Sequence, residues 1–549
     1  MTAVSAHSGS TAQSGSTAQP DSTAQPDSTA QPEGTAQHPE GTAQHPESGA
    51  AGGRQTFQST SPASGELIGD FPIHSAEDVG AAVARARAAA GWWAELGAAG
   101  RRERLTAWRV QLVRRADELA ELISRENGKP HDDAVVEVVI AIAHLAWASR
   151  NAAKVLRRRR VNPGLLAVNH SASVEYLPFG VVGVIGPWNY PVHTPMGSIS
   201  YALAAGNAVV FKPSEFTPAV GQWLVDSFAE VVGEQPVLQL VTGFGATGAA
   251  LCQAGVDKLA FTGSAATGRL VMASCAATLT PCVIECGGKD ALIVAADADL
   301  ERAAEQAVWG AMFNGGQTCA GVERVYVEAG VYDEFIAKVS AVAAGIRTGP
   351  PGAPDTTGAR PAAHYGAITM PAQLEVISRH IRQAVQAGGR ALVGGPDSVR
   401  GPYVEPVVLV DVPADQPAVT EETFGPTMVI SKVTDLDEAV ALANSGDYGL
   451  GASVFSRAQG RQLAARLTAG MVSVNSVLTY ASIPGLPWGG SGQSGFGRIH
   501  GPDGLREFAR SRAVTSQLFD IPLKVATFAR PDSSIGQLRQ LARLRWGRR

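Results

Sequence analysis

From Val181 onward, short apolar runs alternate with helix-length stretches. The runs are Val181–Ile185, Ala208–Phe211, Lys258–Thr262, Cys282–Glu285, Ala291–Val294, Arg324–Val327, Met428–Ile430, Ala452–Phe455 and Met471–Val474, and Gly or Pro often follows. Apolar strands separated by helices build parallel sheets with helical crossovers. The fold class read from this pattern is α/β. Ligands of such sheets bind beyond the carboxyl ends of the strands, so chemistry is expected in the turns that follow these runs.

Before Val181 the pattern is helical. Ser75 to Ser124 is rich in Ala, Leu, Arg and Glu at helical spacing, and Ser75 with Asp78 reads as a capping box. A second apolar helix is expected over about Asp133 to Val155, with Arg157 to Arg160 as its solvated end. Residues 1–54 differ from the rest. Thr-Ala-Gln recurs at Thr11, Thr17, Thr23, Thr29, Thr35 and Thr42 amid Pro, Asp, Glu, Ser, Gly and His. Such a segment has too little apolar surface to offset the entropy of ordering, and disorder is expected there.

Composition excludes several functions. Basic and acidic residues number 45 and 50, for a net charge of −5, so no basic bias points to nucleic acid. No run of about 18 apolar residues suggests a spanning helix. The start lacks the basic and apolar regions of a secretory signal. Five cysteines, an odd and low number, argue against a disulfide framework and for a reducing cytoplasm. In the tail 521–549, Ile535, Leu538, Leu541, Leu544 and Trp546 are interleaved with Arg539, Arg543, Arg545, Arg548 and Arg549. A short basic helix of this kind could lie on an anionic membrane surface; a frayed or subunit-packed tail is the bland reading and the favoured one.

Six motifs carry candidate chemistry. Gly263-Ser264 through Gly268 follows an apolar run and opens a helix, where backbone N–H groups attract phosphate oxygens. Lys212 and Glu215, at another strand end, suit two vicinal ribose hydroxyls, and Glu215 would repel a 2′-phosphate. Cys319, among small residues in Asn314–Gly321, is a candidate thiolate nucleophile. Glu285, before Cys286-Gly287-Gly288, is a candidate general base whose pKa partial burial would raise. Asn189, in Gly186-Pro187-Trp188-Asn189-Tyr190-Pro191, offers an amide to an oxyanion. Glu422 and Phe424, in Glu421–Pro426, offer a carboxylate and an aromatic face. Each motif alone also has a structural explanation: a turn, a surface ion pair, a core cysteine or a solvated loop.

In order and approximate spacing, these motifs resemble the NAD(P)-dependent aldehyde dehydrogenase superfamily over about residues 55–520. The resemblance implies Cys319 as nucleophile, Glu285 as general base, and Asn189 with the Cys319 backbone N–H as oxyanion hole. It implies Lys212 and Glu215 at the adenosine ribose, and Gly263, Ser264 and Gly268 at the pyrophosphate. Glu422 would meet the nicotinamide ribose, Phe424 would pack near the nicotinamide, and Ile185, Pro187 and Trp188 would line the cleft. It also implies a Rossmann-like NAD-binding domain (55–163 and 178–287), an α/β catalytic domain (288–497) and a β oligomerisation arm (164–177 and 498–520). The cofactor is expected to be NAD rather than NADP, and the assembly a homodimer or homotetramer. Tyr190, Phe313 and Tyr480 are placed at the substrate tunnel and suit an apolar or aromatic aldehyde. The retained Glu285 argues for hydrolysis over acyl transfer to coenzyme A or phosphate, and the intact Cys319, Glu285 and Asn189 argue against a non-catalytic scaffold. Three departures stand out: Cys286 where many relatives have leucine, Trp488 where many have phenylalanine, and Gly492 where many have lysine. Cys286 is expected to point into the core.

Overall fold

The apolar runs become interior strands of two mostly parallel sheets. The structure is a computed structural model that describes residues 48–51, 54–233, 235–350 and 363–547. At its start, β1 (Ser48–Ala51), β2 (Arg54–Thr60) and β3 (Leu67–Pro72) form an antiparallel sheet. The disorder expected over 1–54 is thereby corrected at 48–51, where backbone groups find ladder partners on β2, with Ser48 opposite Thr56. The Thr-Ala-Gln repeat lies outside the described residues.

Helices α1 (Ala76–Glu95), α2 (Gly97–Arg114), α3 (Ala116–Asn127) and α4 (His131–Val155) follow. The Ser75 capping box opens α1, with Ser75 Oγ accepting from Asp78 N at 3.2 Å. Its buried face, Val79, Ala82, Val83, Ala86, Ala89 and Trp93, has the three-and-four spacing of an amphipathic helix. α3 stops at Gly128, whose φ of +91° is a conformation that glycine tolerates. The chain turns there and Pro130 precedes α4.

α4 ends at Val155, before the arginine run. Arg159 and Arg160 instead enter β4 (Arg159–Val161), with exposed side chains. β4 pairs with β5 (His170–Pro178), which pairs in turn with the late strand Ala509–Gln517, from Ala509 opposite Pro178 to Gln517 opposite His170.

The first large sheet contains β6 (Val181–Ile185), β7 (Ala208–Lys212), β8 (Leu238–Leu240), β9 (Lys258–Gly263) and β10 (Cys282–Cys286). Helices α5 (His193–Ala205), α6 (Pro218–Ala229), α7 (Gly245–Gln253) and α8 (Ala265–Thr278) connect them. The order is β10-β9-β6-β7-β8, all parallel. The chain steps outward from β6 to β8, then returns to the other side of β6. The crevice beyond the carboxyl ends of β6 and β9 is therefore a topological switch point, the place where an open α/β sheet binds a ligand.

The second sheet contains β11 (Asp290–Val294), β12 (Val322–Glu328), β13 (Arg390–Val393), β16 (Val407–Val410), β17 (Thr427–Val433), β18 (Gly451–Phe455) and β19 (Met471–Val474). A small hairpin, β14 (Val399–Arg400) and β15 (Tyr403–Val404), precedes β16. The order is β13-β16-β17-β12-β11-β18-β19, with only β13 antiparallel to its neighbour. α9 (Leu300–Met312) crosses from β11 to β12. β20 (Gly495–Phe496), expected within the second domain, pairs antiparallel with β10 and extends the first sheet; β21 is the late strand Ala509–Gln517.

The tail forms a helix over Asp532–Trp546. Ile535, Leu538 and Leu541 are half-buried on it, while Leu544 and Trp546 are exposed. Residues three apart step about 60° backward around a helix, so this stripe winds off any single face. Among the described residues no helix is long and apolar enough to cross a membrane.

Candidate active site

Side chains from both sheets come together at one place. Beyond the carboxyl end of β6 the chain runs through Ile185, Pro187 and Trp188 to the buried Asn189. Glu285 closes β10. From the second sheet comes Cys319, which lies before β12 rather than after a strand. The expectation that all the chemistry follows strand ends is corrected here: the amino end of β12 abuts the first sheet. Three successive left-handed residues, Asn314 (φ 55°), Gly315 (φ 65°) and Gly316 (φ 72°), make the turn that delivers it. A Cβ on Gly316 would collide with Gly425 O, so the glycine is required by both conformation and space.

Asn189 Nδ2 donates to Gln317 O at 2.9 Å. An amide nitrogen carries two N–H groups, so one remains for a ligand beside Cys319. Next to it, the Tyr190 and Thr318 hydroxyls lie 2.7 Å apart.

Glu285 is buried, and neither carboxylate oxygen has a hydrogen-bond partner among the described residues. Burial pushes its pKa up to about 7, with Thr262, Trp488 and Cys319 facing it and limiting the rise. Burial also raises the Cys319 thiol well above its ordinary value, and the carboxylates of Glu285, Asp290 and Glu422 add to the shift. Burial thus favours the protonated form of both the Cys319 thiol and the neighbouring Glu285 carboxyl. Cys286 does point inward: its Sγ lies 3.8 Å from Ser264 O between α8 and β10, and burial pushes its pKa up to about 12. It is an inert core thiol.

The residues expected around a dinucleotide fall at the carboxyl end of β7, at the start of α8 and in the loop that carries Glu422 and Phe424. Lys212 is buried, held below its ordinary pKa by burial, and its Nζ donates to Pro213 O at 2.9 Å. Glu215 is half-buried and accepts from Ser214 Oγ. Ser264 caps α8, accepting from Thr267 N, and the first N–H groups of that helix have no intrahelical acceptor. A Cβ on Gly263 would meet the Phe261 ring at 2.7 Å, which explains the glycine at this turn. Gly268 lies one turn into α8 and faces β10 instead: a Cβ there would meet Cys286 Sγ at 2.9 Å. Glu422 accepts from Gly288 N at 3.1 Å, and burial, then Glu323, pushes its pKa up to about 8. Phe424, at φ 50°, meets Trp188 edge-on with centroids 5.5 Å apart. A buried ammonium with donors to spare, a capped helix N-terminus and an aromatic corner suit a nicotinamide dinucleotide.

Aromatic rings continue outward from Thr318. Tyr190 and Phe313 stack with centroids 6.4 Å apart, and Phe313 lies 4.9 Å from Trp309, which is 42% exposed. Tyr480 packs edge-on against Trp488 at 5.8 Å. Gly492 has φ +62°, and a Cβ there would strike Asp447 O, so this departure has a backbone reason.

Two buried ion pairs behind the site were not anticipated. Lys129 Nζ donates to Glu137 Oε2 at 2.6 Å and to Asn189 O at 2.8 Å. Lys289 pairs with Glu323, which accepts from the N–H groups of Thr423 and Phe424. A signal for the first was present in the sequence: Glu137 sits on the apolar face of α4 with Ala134, Val138 and Ala141, where an isolated carboxylate needs a partner.

Comparison with known proteins agrees with this geometry. Residues 50–514 match the aldehyde dehydrogenase family. The chain is 38% identical over 458 residues to a 4,4′-diapolycopene aldehyde oxidase of Methylomonas, covering 83% of this chain and 84% of that protein. It is 35% identical over 465 residues to a putative succinate-semialdehyde dehydrogenase [NADP(+)] 2 of Mycobacterium tuberculosis, covering 83% and 88% respectively. The crystal structure of an NAD-dependent aldehyde dehydrogenase from Sinorhizobium meliloti superposes with a TM-score of 0.80 at 31% identity, covering 86% of this chain and 93% of that one. The chain belongs to the aldehyde dehydrogenase family. Its chemistry is the oxidation of aldehydes to acids with a nicotinamide dinucleotide.

Proposed function

We propose that this protein is an NAD-dependent, hydrolytic dehydrogenase of apolar aldehydes that uses Cys319, Glu285 and Asn189. The observation that carries the reading is the buried, unpartnered Glu285 facing Cys319 at the junction of the two sheets. The Cys319 thiol proton leaves to solvent as its Sγ bonds to the aldehyde carbon, which leaves the Glu285 carboxylate free for the second half of the reaction. The resulting alkoxide is stabilised by the free N–H of Asn189 and the backbone N–H of Cys319. When bound, the dinucleotide supplies a hydride acceptor for that carbon. A thioester remains on Cys319, and Glu285 deprotonates the water that cleaves it, releasing the acid and restoring the thiol.

Lys212 and Glu215 would hold the adenosine ribose, Gly263 and Ser264 the pyrophosphate, and Glu422 and Phe424 the nicotinamide riboside. The half-buried carboxylate of Glu215 beside Lys212 supports NAD over NADP, since it would repel a 2′-phosphate. The Trp309–Phe313–Tyr190 series supports an apolar or aromatic chain in the substrate channel. Assembly through β5 and β21, a cytoplasmic location and peripheral membrane contact through the C-terminal helix belong to the same proposal.

The test is NAD reduction across short aliphatic, long aliphatic, aromatic and carboxylate-bearing aldehydes, with Cys319→Ala as control. Higher kcat/KM for apolar aldehydes, with turnover lost in Cys319→Ala, is expected. Preference for the carboxylate-bearing aldehydes would overturn the substrate class, and turnover surviving in Cys319→Ala would overturn the mechanism.

A further inference from the structure

The oxyanion donor Asn189 is held by its own backbone, and the hold comes from another part of the chain. Asn127 Nδ2 donates to Trp188 O at 2.9 Å, and Lys129 Nζ donates to Asn189 O at 2.8 Å. Asn127 ends α3, and Lys129 lies in the turn that follows it. Lys129 is fixed by Glu137 Oε2, and Glu137 Oε1 accepts from Val192 N at 2.8 Å and His193 N at 3.0 Å. The Lys129 ammonium also lies over the Tyr190 ring, 4.2 Å from its centroid. One buried pair thus grips the segment 189–193 at a carbonyl, a ring and two amides.

The same turn reaches the nucleophile loop. Thr369 Oγ1 donates to Asn127 O at 2.7 Å, and Gln317 Oε1 accepts from Thr369 N at 2.8 Å. Asn314 Nδ2 donates to Asn189 O at 3.1 Å, and Asn189 Nδ2 donates to Gln317 O. The polar ring closes on the two segments whose N–H groups would face the alkoxide. Both side chains of the pair are 1% exposed, behind the segment that carries Asn189.

We propose that Lys129 and Glu137 are positioning residues that set the aim of the Asn189 amide, and with it the rate at which Cys319 is acylated. The inference rests on the proposed role of Asn189. Stability does not require an ion pair in this place, because a buried pair replaced at both ends by neutral groups is often no less stable, whereas breaking one end leaves an uncompensated charge. Aim does require it: misplacing a catalytic group by about 1 Å costs about 100-fold, the range seen when an oxyanion donor is removed.

The test compares Lys129→Met with Lys129→Met/Glu137→Gln. The double variant removes both charges and keeps an amide oxygen for Val192 N and His193 N. p-Nitrophenyl acetate is the probe, because its acylation of a thiol releases nitrophenolate through a tetrahedral oxyanion without any cofactor. The single variant is expected to lose both Tm and acylation rate. The double variant is expected to recover Tm while its nitrophenolate burst stays roughly 100-fold slower than wild type, with Cys319 still alkylated by iodoacetamide. A burst that recovers together with Tm overturns the proposal and leaves the pair a structural one. A normal burst in Asn189→Ala, with Cys319→Ala silent, removes the oxyanion role of Asn189 and the inference with it. A burst that survives in Cys319→Ala removes the mechanism itself.

Discussion

The reacting groups and the walls behind them treat buried charge in opposite ways. Glu137 and Glu323 are each buried against a lysine and accept further backbone N–H groups. Glu285 is equally buried and has no cation and no hydrogen bond among the described residues. A partnered carboxylate fixes a wall; a partnerless one is pushed up to about 7 and can exchange a proton near neutrality. These two lysines, Lys129 and Lys289, stand behind the loops that carry Asn189, Glu422 and Phe424, and no lysine is among the groups that shift the proposed base. A lysine beside Glu285 would hold it ionised and weaken it as a base.

The largest effect is expected from Glu285→Gln. Acylation would still give a burst of reduced cofactor, while deacylation would slow by about 100-fold to 10,000-fold, the usual weight of a general base. Single-turnover and steady-state traces separate the two steps, and loss of the burst would contradict the assignment. In wild type the slow step should fall as pH drops through about 7. The same variant should be more stable than wild type at pH 8. The folded pKa is raised, so the folded state binds more protons between about 4.5 and 7 and loses stability as pH rises through that window. At about 1.4 kcal/mol per pKa unit the gain is about 3 kcal/mol. Equal Tm values at pH 8 would show that Glu285 is not strained in the folded state.

A smaller effect is expected from the second wall. Lys289 Nζ pairs with Glu323 and lies 3.2 Å from Thr423 Oγ1, and Glu323 holds the N–H groups of Thr423 and Phe424. Lys289→Met with Glu323→Gln should loosen the loop that carries Glu422 and Phe424. KM for NAD is expected to rise about tenfold, a loss of roughly 1.4 kcal/mol of binding, with the cofactor-free nitrophenolate burst unchanged. The variants at Lys129 should show the reverse, a slower burst with little change in KM for NAD. If both walls moved the same constant, the division of labour between them would be wrong.

The reach of the sequence follows the same divide. The strand runs were legible because they are continuous apolar segments buried on both faces, as in β7 and β11. β8, β13 and β20 escaped because they are short or lie at sheet edges, where hydrogen bonding rather than hydrophobic pattern defines the strand; β16 also went unread, although it is an interior strand buried along its whole length. Cys319, Glu285 and Asn189 were singled out because each lies in a contiguous motif, Glu285 at the end of β10 and the other two in turns. The ion pairs were not, because Lys129 and Asn189 are 60 positions apart and only the fold brings them together. Glu323 was visible four residues after Cys319, but nothing local showed that it reaches the 423–424 backbone.

A third buried cluster has no assigned task, and it predicts the smallest effect. His144, His193 and His500 pack together, with His144 and His500 centroids 3.9 Å apart, beside Tyr201. Burial lowers all three pKa values, His144 to about 4 and His193 to about 3, and the mutual repulsion of the rings adds to this for His193 and His500. The folded pKa is depressed below the unfolded value of about 6.5. The unfolded chain therefore binds more protons as pH falls below 6.5, and stability is lost toward pH 4. Buried carboxyls with raised pKa, Glu126, Asp133, Glu285 and Glu422, act in the opposite direction. Comparing wild type with His144→Phe cancels their contribution. The variant forfeits the bond from His144 to Ala481 O and should start with a lower Tm at pH 7. Its stability should then fall less steeply between pH 6.5 and 4, by up to one proton's worth, about 1.4 kcal/mol per pH unit. Parallel curves would mean that His144 already carries its proton in the folded protein. The cluster would then be a buried charge answered by groups other than those facing it here.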